Sequence, residues 1–189
     1  MKDEMKAKLA PATAEERSFL DDLDKILRSK EVRAQIQPVV ESVRADLAQR
    51  KKAVMAWEPI PLTTYAGGLR PEIRSSWIFV LRAGANTGAE RHPNSHQRMM
   101  SFEGAGDMQV RAALESPWQS NVLGDDPKGP LEGRWVSIPQ NVWHQPVVPK
   151  GADWVVVSFH TVPAEELIEE RPDPGSALGT KQMVYLSKK

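Results

Sequence analysis

The chain has 189 residues, of which 40% are hydrophobic and 26% are charged, a composition typical of a soluble globular protein. Basic and acidic residues number 25 each, so no net charge would draw the chain to nucleic acid or to an anionic membrane. The absence of cysteine excludes disulfides and thiolate ligands. Neither a signal peptide nor a membrane-spanning run is predicted, so we expect a cytoplasmic protein.

The N-terminal part, residues 1–57, carries a helical pattern. Residues 13–16 fit a capping box, and apolar residues then recur at helical spacing over 19–27 and over 32–47. Pro38 lies inside the second pattern and should kink or split that helix. A pair of amphipathic helices covering a sheet or a dimer partner is favoured over a DNA-binding helix-turn-helix, because the charge in this part is mixed.

The next part, residues 58–162, has the pattern of a mainly β domain. Short runs rich in β-branched and aromatic residues alternate with turns that contain Gly, Pro or Asn. Short strands of this kind, with no helices between them, predict a closed antiparallel barrel or a double-sheet jelly roll. The candidate strands are 61–65, 75–82, 88–92, 97–103, 108–113, 134–138, 143–148 and 153–161.

Two further segments have readings that stay open. The long segment 115–132 is predicted to be either a flap over a pocket mouth or an inert surface loop. In the C-terminal part, 163–189, we expect one or two helical turns over 165–170, a linker over 171–180 and a strand over 182–186. That strand would join a sheet edge of its own chain or of a partner, and we favour the partner, hence a homodimer.

A cluster of metal-ligating residue types marks the candidate site. Glu90, His92 and His96 lie within seven residues of one another, and His144 follows further along the chain. Residues two apart on a strand face the same side, so Glu90 and His92 would both point inward. We expect His96 to return from the start of the next strand and His144 to come from a nearby one. Imidazoles with a carboxylate suit a first-row transition metal.

The second half of this cluster resembles the second motif of the cupin superfamily. Gly133, Pro139 and His144 lie at the spacings of that motif. Asn141 replaces a glycine of the motif and Val148 replaces its final Asn. The exchange at Asn141 is mild, because Asn tolerates a positive φ better than most residues.

The first motif of the same superfamily is matched in spacing rather than in letters. Glu90-x-His92 stands where the family has His-x-His, and His96 stands where the family has Glu. In an alternative register, counted back from Gly104, Gln97 takes the Glu position and His96 points away. We favour His96, because imidazole is the better metal ligand.

The resemblance implies a cupin double-stranded β-helix, a jelly-roll barrel, with N-terminal α-helices. It also implies one divalent transition metal ion per chain, with Fe²⁺ preferred and Mn²⁺, Ni²⁺ or Zn²⁺ as alternatives. The expected function is a metal-dependent oxygenase or dioxygenase acting on a small organic molecule. A non-catalytic binding or sensing protein and an isomerase remain alternatives. The expected metal ligands are Glu90, His92, His96 and His144, and the expected pocket residues are Arg98, Met100, Phe102, Gln97 and His160.

Overall fold

The computed structural model describes residues 13–188, which begin with two helices, α1 (Ala14–Arg28) and α2 (Lys30–Gln49). The side chain of Thr13 accepts a hydrogen bond from the backbone N–H of Glu16 at 3.1 Å, which confirms the predicted cap of α1. Pro38 does not split α2. Its ring is on the exposed side, while the apolar residues of α2 pack on the other side and hold the helix together.

The rest of the described chain is built from short strands. The predicted strand over 61–65 is wrong, because a short 3₁₀ helix, Leu62–Tyr65, lies there and the first strand precedes it. The strands are β1 (Met55–Ile60), β2 (Ser75–Leu81), β3 (Gln97–Glu103), β4 (Ala105–Arg111), β5 (Val122–Gly124), β6 (Trp135–Ile138), β7 (Trp143–Val147), β8 (Trp154–His160), β9 (Ile168–Pro172) and β10 (Thr180–Val184).

These strands form a mainly β jelly roll with two larger sheets and a separate two-stranded sheet, β9–β10. The first sheet has the order β1-β2-β8-β3-β6, and the second has the order β5-β4-β7. Isolated bridges pair Glu90 with His144 on β7 and Arg91 with Glu170 on β9, so the segment before β3 links the β9–β10 pair to the second sheet. This arrangement confirms the predicted fold class.

The two faces of the first sheet have different surroundings. Because side chains alternate along a strand, one set packs against α1 and α2, including Ile78, Met100 and Phe159. The other set, including Trp77 and Met99, faces the space between the sheets. We call these the helix face and the inner face. No helix within residues 13–188 is long and apolar enough to cross a membrane.

The C-terminal strand pairs within its own chain. β10 runs antiparallel to β9, with Val184 opposite Ile168, so the favoured placement on a partner is wrong. The Tyr185 backbone N–H donates to the carbonyl of Leu167 at 2.8 Å, and its ring packs edge-on against Trp57. These contacts hold the segment on its own chain. The predicted helix over 165–170 is restricted to the short 3₁₀ turn Ala164–Glu166. The homodimer stays a prediction.

A buried ion pair joins α1 to the first sheet. Asp24 accepts from Arg134 Nε at 3.2 Å and Nη2 at 2.9 Å, and from Trp135 Nε1 at 2.9 Å. Arg134 also donates to the carbonyl of Gly129, which fixes the 115–132 segment at this end. Burial raises the pKa of Asp24, but hydrogen bonds from Arg134 and Trp135 outweigh it and hold that pKa below its usual range.

Replacing Asp24 by Asn should destabilise the protein strongly. The change leaves the buried Arg134 without its counter-charge, and loss of one partner of a buried pair costs about 3 kcal/mol or more. Urea unfolding at pH 7 measures the loss. The matched control is Asp46→Asn, which removes an exposed ion pair with Arg50 and should cost under about 1 kcal/mol.

The cost of Asp24→Asn should also depend on pH. Because the folded-state pKa of Asp24 is depressed, its contribution is present above the unfolded pKa of about 3.9. That contribution is lost as the pH falls through the folded-state value. The unfolding free energies of wild type and variant should therefore converge in acid, and a constant gap down to acid denaturation would contradict this assignment.

Candidate metal site

Three of the predicted ligands come together on the inner side of the jelly roll. One ligand atom from each of Glu90, His92 and His144 lies within 4.8 Å of the other two, and these residues are only 8%, 4% and 1% exposed. Backbone hydrogen bonds from Glu90 N to His144 O (2.9 Å) and from His144 N to Glu90 O (2.8 Å) set the two chains in register. Two strand segments far apart in sequence thus present one cluster.

Backbone carbonyls fix the orientation of both imidazoles. His92 Nδ1 lies 2.9 Å from the carbonyl oxygen of Ile168, and His144 Nδ1 lies 3.1 Å from that of Val142. A carbonyl only accepts, so each Nδ1 is a donor, and in the neutral ring each Nε2 then keeps its lone pair. The buried Nε2 of His144 has no hydrogen-bond partner among the described residues. A fixed tautomer with an unpaired Nε2, as in His144, suits a metal ligand.

Glu90 is held ionised by its neighbours. Burial raises its pKa, but the charge of the Arg171 guanidinium opposes burial, and that pKa lies well below its usual range. Arg171 Nη2 donates to Glu90 Oε2, while Glu90 Oε1 lies 3.6 Å from His144 Nε2. One carboxylate oxygen is therefore taken by the arginine, and the other faces the imidazoles.

The C-terminal part supplies residues that sequence reasoning missed. Pairing of Arg91 with Glu170 sets Arg171 opposite Glu90, and Arg171 Nε donates to the fully buried Glu169. Tyr185 lies beside this group, and burial with the nearby carboxylates raises its pKa well above the ordinary value. The signal that would have found Arg171 and Glu169 is their two-residue spacing. The sequence pattern instead predicts a helical turn over 165–170 and a linker over 171–180, and in those structures residues two apart do not face the same side.

The structure places His96 apart from the cluster, so its choice as a ligand is corrected. His96 Nε2 lies 2.6 Å from Ser137 Oγ and 3.8 Å from Glu16 Oε1 of α1. Burial and Arg98 lower the pKa of His96. The ring points to the helix side because His96 has the same strand parity as Arg98, while Gln97 takes the position on the inner face.

The same strand parity corrects the predicted location of three pocket residues. Arg98, Met100 and Phe102 were expected to line the cavity because they share parity with His96. They lie on the helix face, where Arg98 donates to Glu16 at 2.7 and 2.8 Å and Met100 and Phe102 pack in the core under α1 and α2. A slip of one residue moves every side chain of a strand to the other face.

Gln97 and His160 lie on the inner face, opposite one another on β3 and β8. Gln97 Nε2 donates to Ser158 Oγ at 3.1 Å, and Gln97 Oε1 has no hydrogen-bond partner among the described residues. His160 Nε2 lies 3.0 Å from Ser158 Oγ and its Nδ1 lies 3.2 Å from Ser95 Oγ. Its ring sits edge-on at 5.0 Å from that of His92. Burial lowers the pKa of His160 well below its ordinary value, so its imidazole packs against His92 as a neutral ring.

No family model matches the chain, and no curated protein matches it. Among solved structures it is similar to the capsular polysaccharide assembling protein CapF from Staphylococcus aureus, with 13% identity over 69% of this chain and 32% of that one, at a TM-score of 0.46. It is also similar to an oxalate decarboxylase from Lactobacillus farciminis, with 14% identity over 58% of this chain and 29% of that one, at a TM-score of 0.44.

A protein from Bacillus halodurans, BH2720, is similar at 20% identity over 47% of this chain and 62% of that one, with a TM-score of 0.41. The chain thus spans about a third of the CapF chain. The similarities concern the fold and carry no argument about activity. The fold is an antiparallel jelly roll, in which the two segments that resemble the cupin motifs meet at the bridge between Glu90 and His144.

Removal of Arg171 should reveal how strongly the site depends on it. Arg171→Met leaves Glu90 and Glu169 as neighbouring buried carboxylates, which should cost about 3 kcal/mol in the free energy of unfolding at pH 7. Their pKa values should rise above the unfolded values, so the variant should gain stability relative to wild type as the pH falls.

Thermal and urea unfolding measure both effects. The measurements run from about pH 5 to about pH 8, where proteins usually have their maximal stability. Lys181→Met is the matched control, because Lys181 lies opposite Arg171 on β10 but is exposed. That control should change stability by about 0.5 kcal/mol or less. Equal losses in the two variants would contradict the role given to Arg171.

Proposed function

We propose that this protein is a metal-dependent oxygenase of the cupin type, which acts on a small organic molecule. Its donor set is Glu90, His92 and His144, two imidazoles and one carboxylate. Such a set with open positions is typical of non-haem iron(II) oxygenases, so Fe²⁺ is the preferred ion and Mn²⁺, Ni²⁺ or Zn²⁺ are the alternatives. When bound, an iron(II) ion would supply the redox chemistry with dioxygen.

One observation carries the proposal: His144 Nε2 is buried and without a hydrogen-bond partner among the described residues. A buried polar atom of this kind is costly unless something satisfies it. It faces Glu90 Oε1 at 3.6 Å, within a group that includes His92. A cation between these atoms would satisfy the imidazole lone pairs and the carboxylate charge together.

The surrounding residues would orient the ligands and keep the site dry. Arg171 holds Glu90 Oε2, which would leave Oε1 for the ion. Gln97 Oε1 also lies on the inner face and has no hydrogen-bond partner among the described residues. This oxygen would be available to extend the donor set. Tyr185 and Trp77 belong to the aromatic cluster beside His92 and would exclude water. Because the pKa of Tyr185 is raised, its hydroxyl would stay protonated near the substrate.

A non-catalytic binding or sensing protein is the second candidate. The ion pair between Glu90 and Arg171 favours it, because the arginine already balances the carboxylate charge. In this case His92 and His144 would act as neutral hydrogen-bond acceptors for an organic ligand.

Metal content separates the two candidates. Protein purified without a nickel column should contain about one divalent transition metal ion per chain, measured by inductively coupled plasma mass spectrometry. His144→Ala and Glu90→Gln should lower the affinity at least about tenfold, since each removes a ligand. His96→Ala is the matched control and should retain the metal, because that imidazole faces Ser137.

Oxygen uptake by the iron-loaded protein, screened over small organic acids, then tests the oxygenase step. Native protein that neither contains nor binds a transition metal would overturn the metalloenzyme and leave the binding candidate. Loss of metal in His96→Ala together with retention in His144→Ala would show that the ligand set is wrong.

A further inference from the structure

A second cleft lies on the helix face of the first sheet. It encloses about 400 Å³ between the α1–α2 junction, β3 and the 115–132 segment. Arg28 and Arg33 line it from the helices, Met100 and Phe102 from β3, and Pro127 from the long segment. Because Met100 and Phe102 point away from the inner face, the sheet itself separates this cleft from the metal site. Clefts of this size hold small organic ligands.

Arg33 lines the cleft without an ion-pair partner among residues 13–188. It is half-buried, and its guanidinium carbon lies 4.3 Å from the centroid of the Phe102 ring. Among residues 13–188 its guanidinium makes no hydrogen bond or ion pair, so its donors are free. Arg28 uses one nitrogen on Asp24, at 3.3 Å, and keeps its remaining donors. Two guanidinium groups with unused donors therefore face one space.

The acidic residues around the cleft are already engaged. Glu103 accepts from Arg44, and Asp125 accepts from the backbone N–H of Gly104 at 2.9 Å. Asp24 is taken up by Arg134 and Trp135. The local carboxylates thus have partners of their own, and Arg33 has none of them.

The walls of the cleft are fixed before any ligand arrives. Arg134 is buried, and it ties Asp24 of α1 to the carbonyl of Gly129 in the long segment. The cation–π contact of Arg33 with the Phe102 ring restrains the guanidinium beside β3. A pre-organised guanidinium loses little freedom when it binds, which favours a planar anion.

We propose that this cleft is a binding site for a small monocarboxylic acid with a flat apolar body. The carboxylate would accept from Arg33 and Arg28, and the apolar body would lie against the exposed ring of Pro127, because Met100 and Phe102 are only 3% and 1% exposed. The site is independent of the metal centre, so it offers the protein a means to bind an organic acid other than its substrate.

Benzoate is the probe for this site, with acetate and benzamide as matched ligands that lack the ring or the charge. Titration of the full chain, followed by calorimetry and by amide NMR shifts, should show saturable benzoate binding with a Kd on the order of 1 mM or tighter. Acetate and benzamide should each bind at least about fivefold more weakly, because each lacks one half of the recognition.

Variants locate the binding. Arg33→Gln should weaken benzoate binding about tenfold, and Arg33→Lys should restore part of it, because lysine keeps the charge but not the planar fork. Lys30→Gln is the matched control, since it removes an exposed charge from the same turn of α2 and should change the Kd less than about twofold.

His144→Ala, in the metal site, should bind benzoate as wild type does. Loss of benzoate binding in that variant, equal weakening by Lys30→Gln and Arg33→Gln, or equal affinity for benzamide would each overturn the proposal. The absence of saturable benzoate binding would overturn it as well, whatever the metal content of the protein.

Discussion

The structure depends on the paired backbone hydrogen bonds between Glu90 and His144. They join two segments that are distant in sequence, and they set the carboxylate and the imidazole side by side on the inner face. His92 follows from the same register, because it lies two residues beyond Glu90 and so points the same way. As a consequence, the Nε2 atom of His144 is buried next to Glu90 without a hydrogen-bond partner among the described residues, where it could bind a metal ion. Without this bridge the ligand atoms would not meet.

A carboxylate in such a buried place needs a counter-charge, and the C-terminal part of the chain provides it. Arg171 binds both Glu90 and Glu169, and Tyr185 closes the same region with an aromatic ring. The segment is therefore part of the site rather than an appendage. The ion pair would hold Glu90 charged and oriented, which is the state that a cation requires. It is also the feature that a purely binding protein would share.

Much of this was readable from the sequence. The change from helical to alternating periodicity predicted the two helices and most of the strands. Strand spacing placed Glu90 beside His92, and the resemblance to the second cupin motif added His144. The prediction of His96 rather than Gln97 at the inner-face position is wrong, because it rests on ligand chemistry and not on strand parity. That parity depends on how the turn before β3 ends, and a difference of one residue reverses both faces. The role of Arg171 was not predicted, because its segment becomes a strand through tertiary pairing and not through a local sequence pattern.

The most direct test of the account is anomalous diffraction from crystals grown with Mn²⁺ or Co²⁺, with data collected on both sides of the metal absorption edge. The account predicts one strong peak per chain within bonding distance, about 2.0–2.2 Å, of Glu90 and of the Nε2 atoms of His92 and His144. A peak bonded to His96, or peaks confined to surface carboxylates, would contradict it.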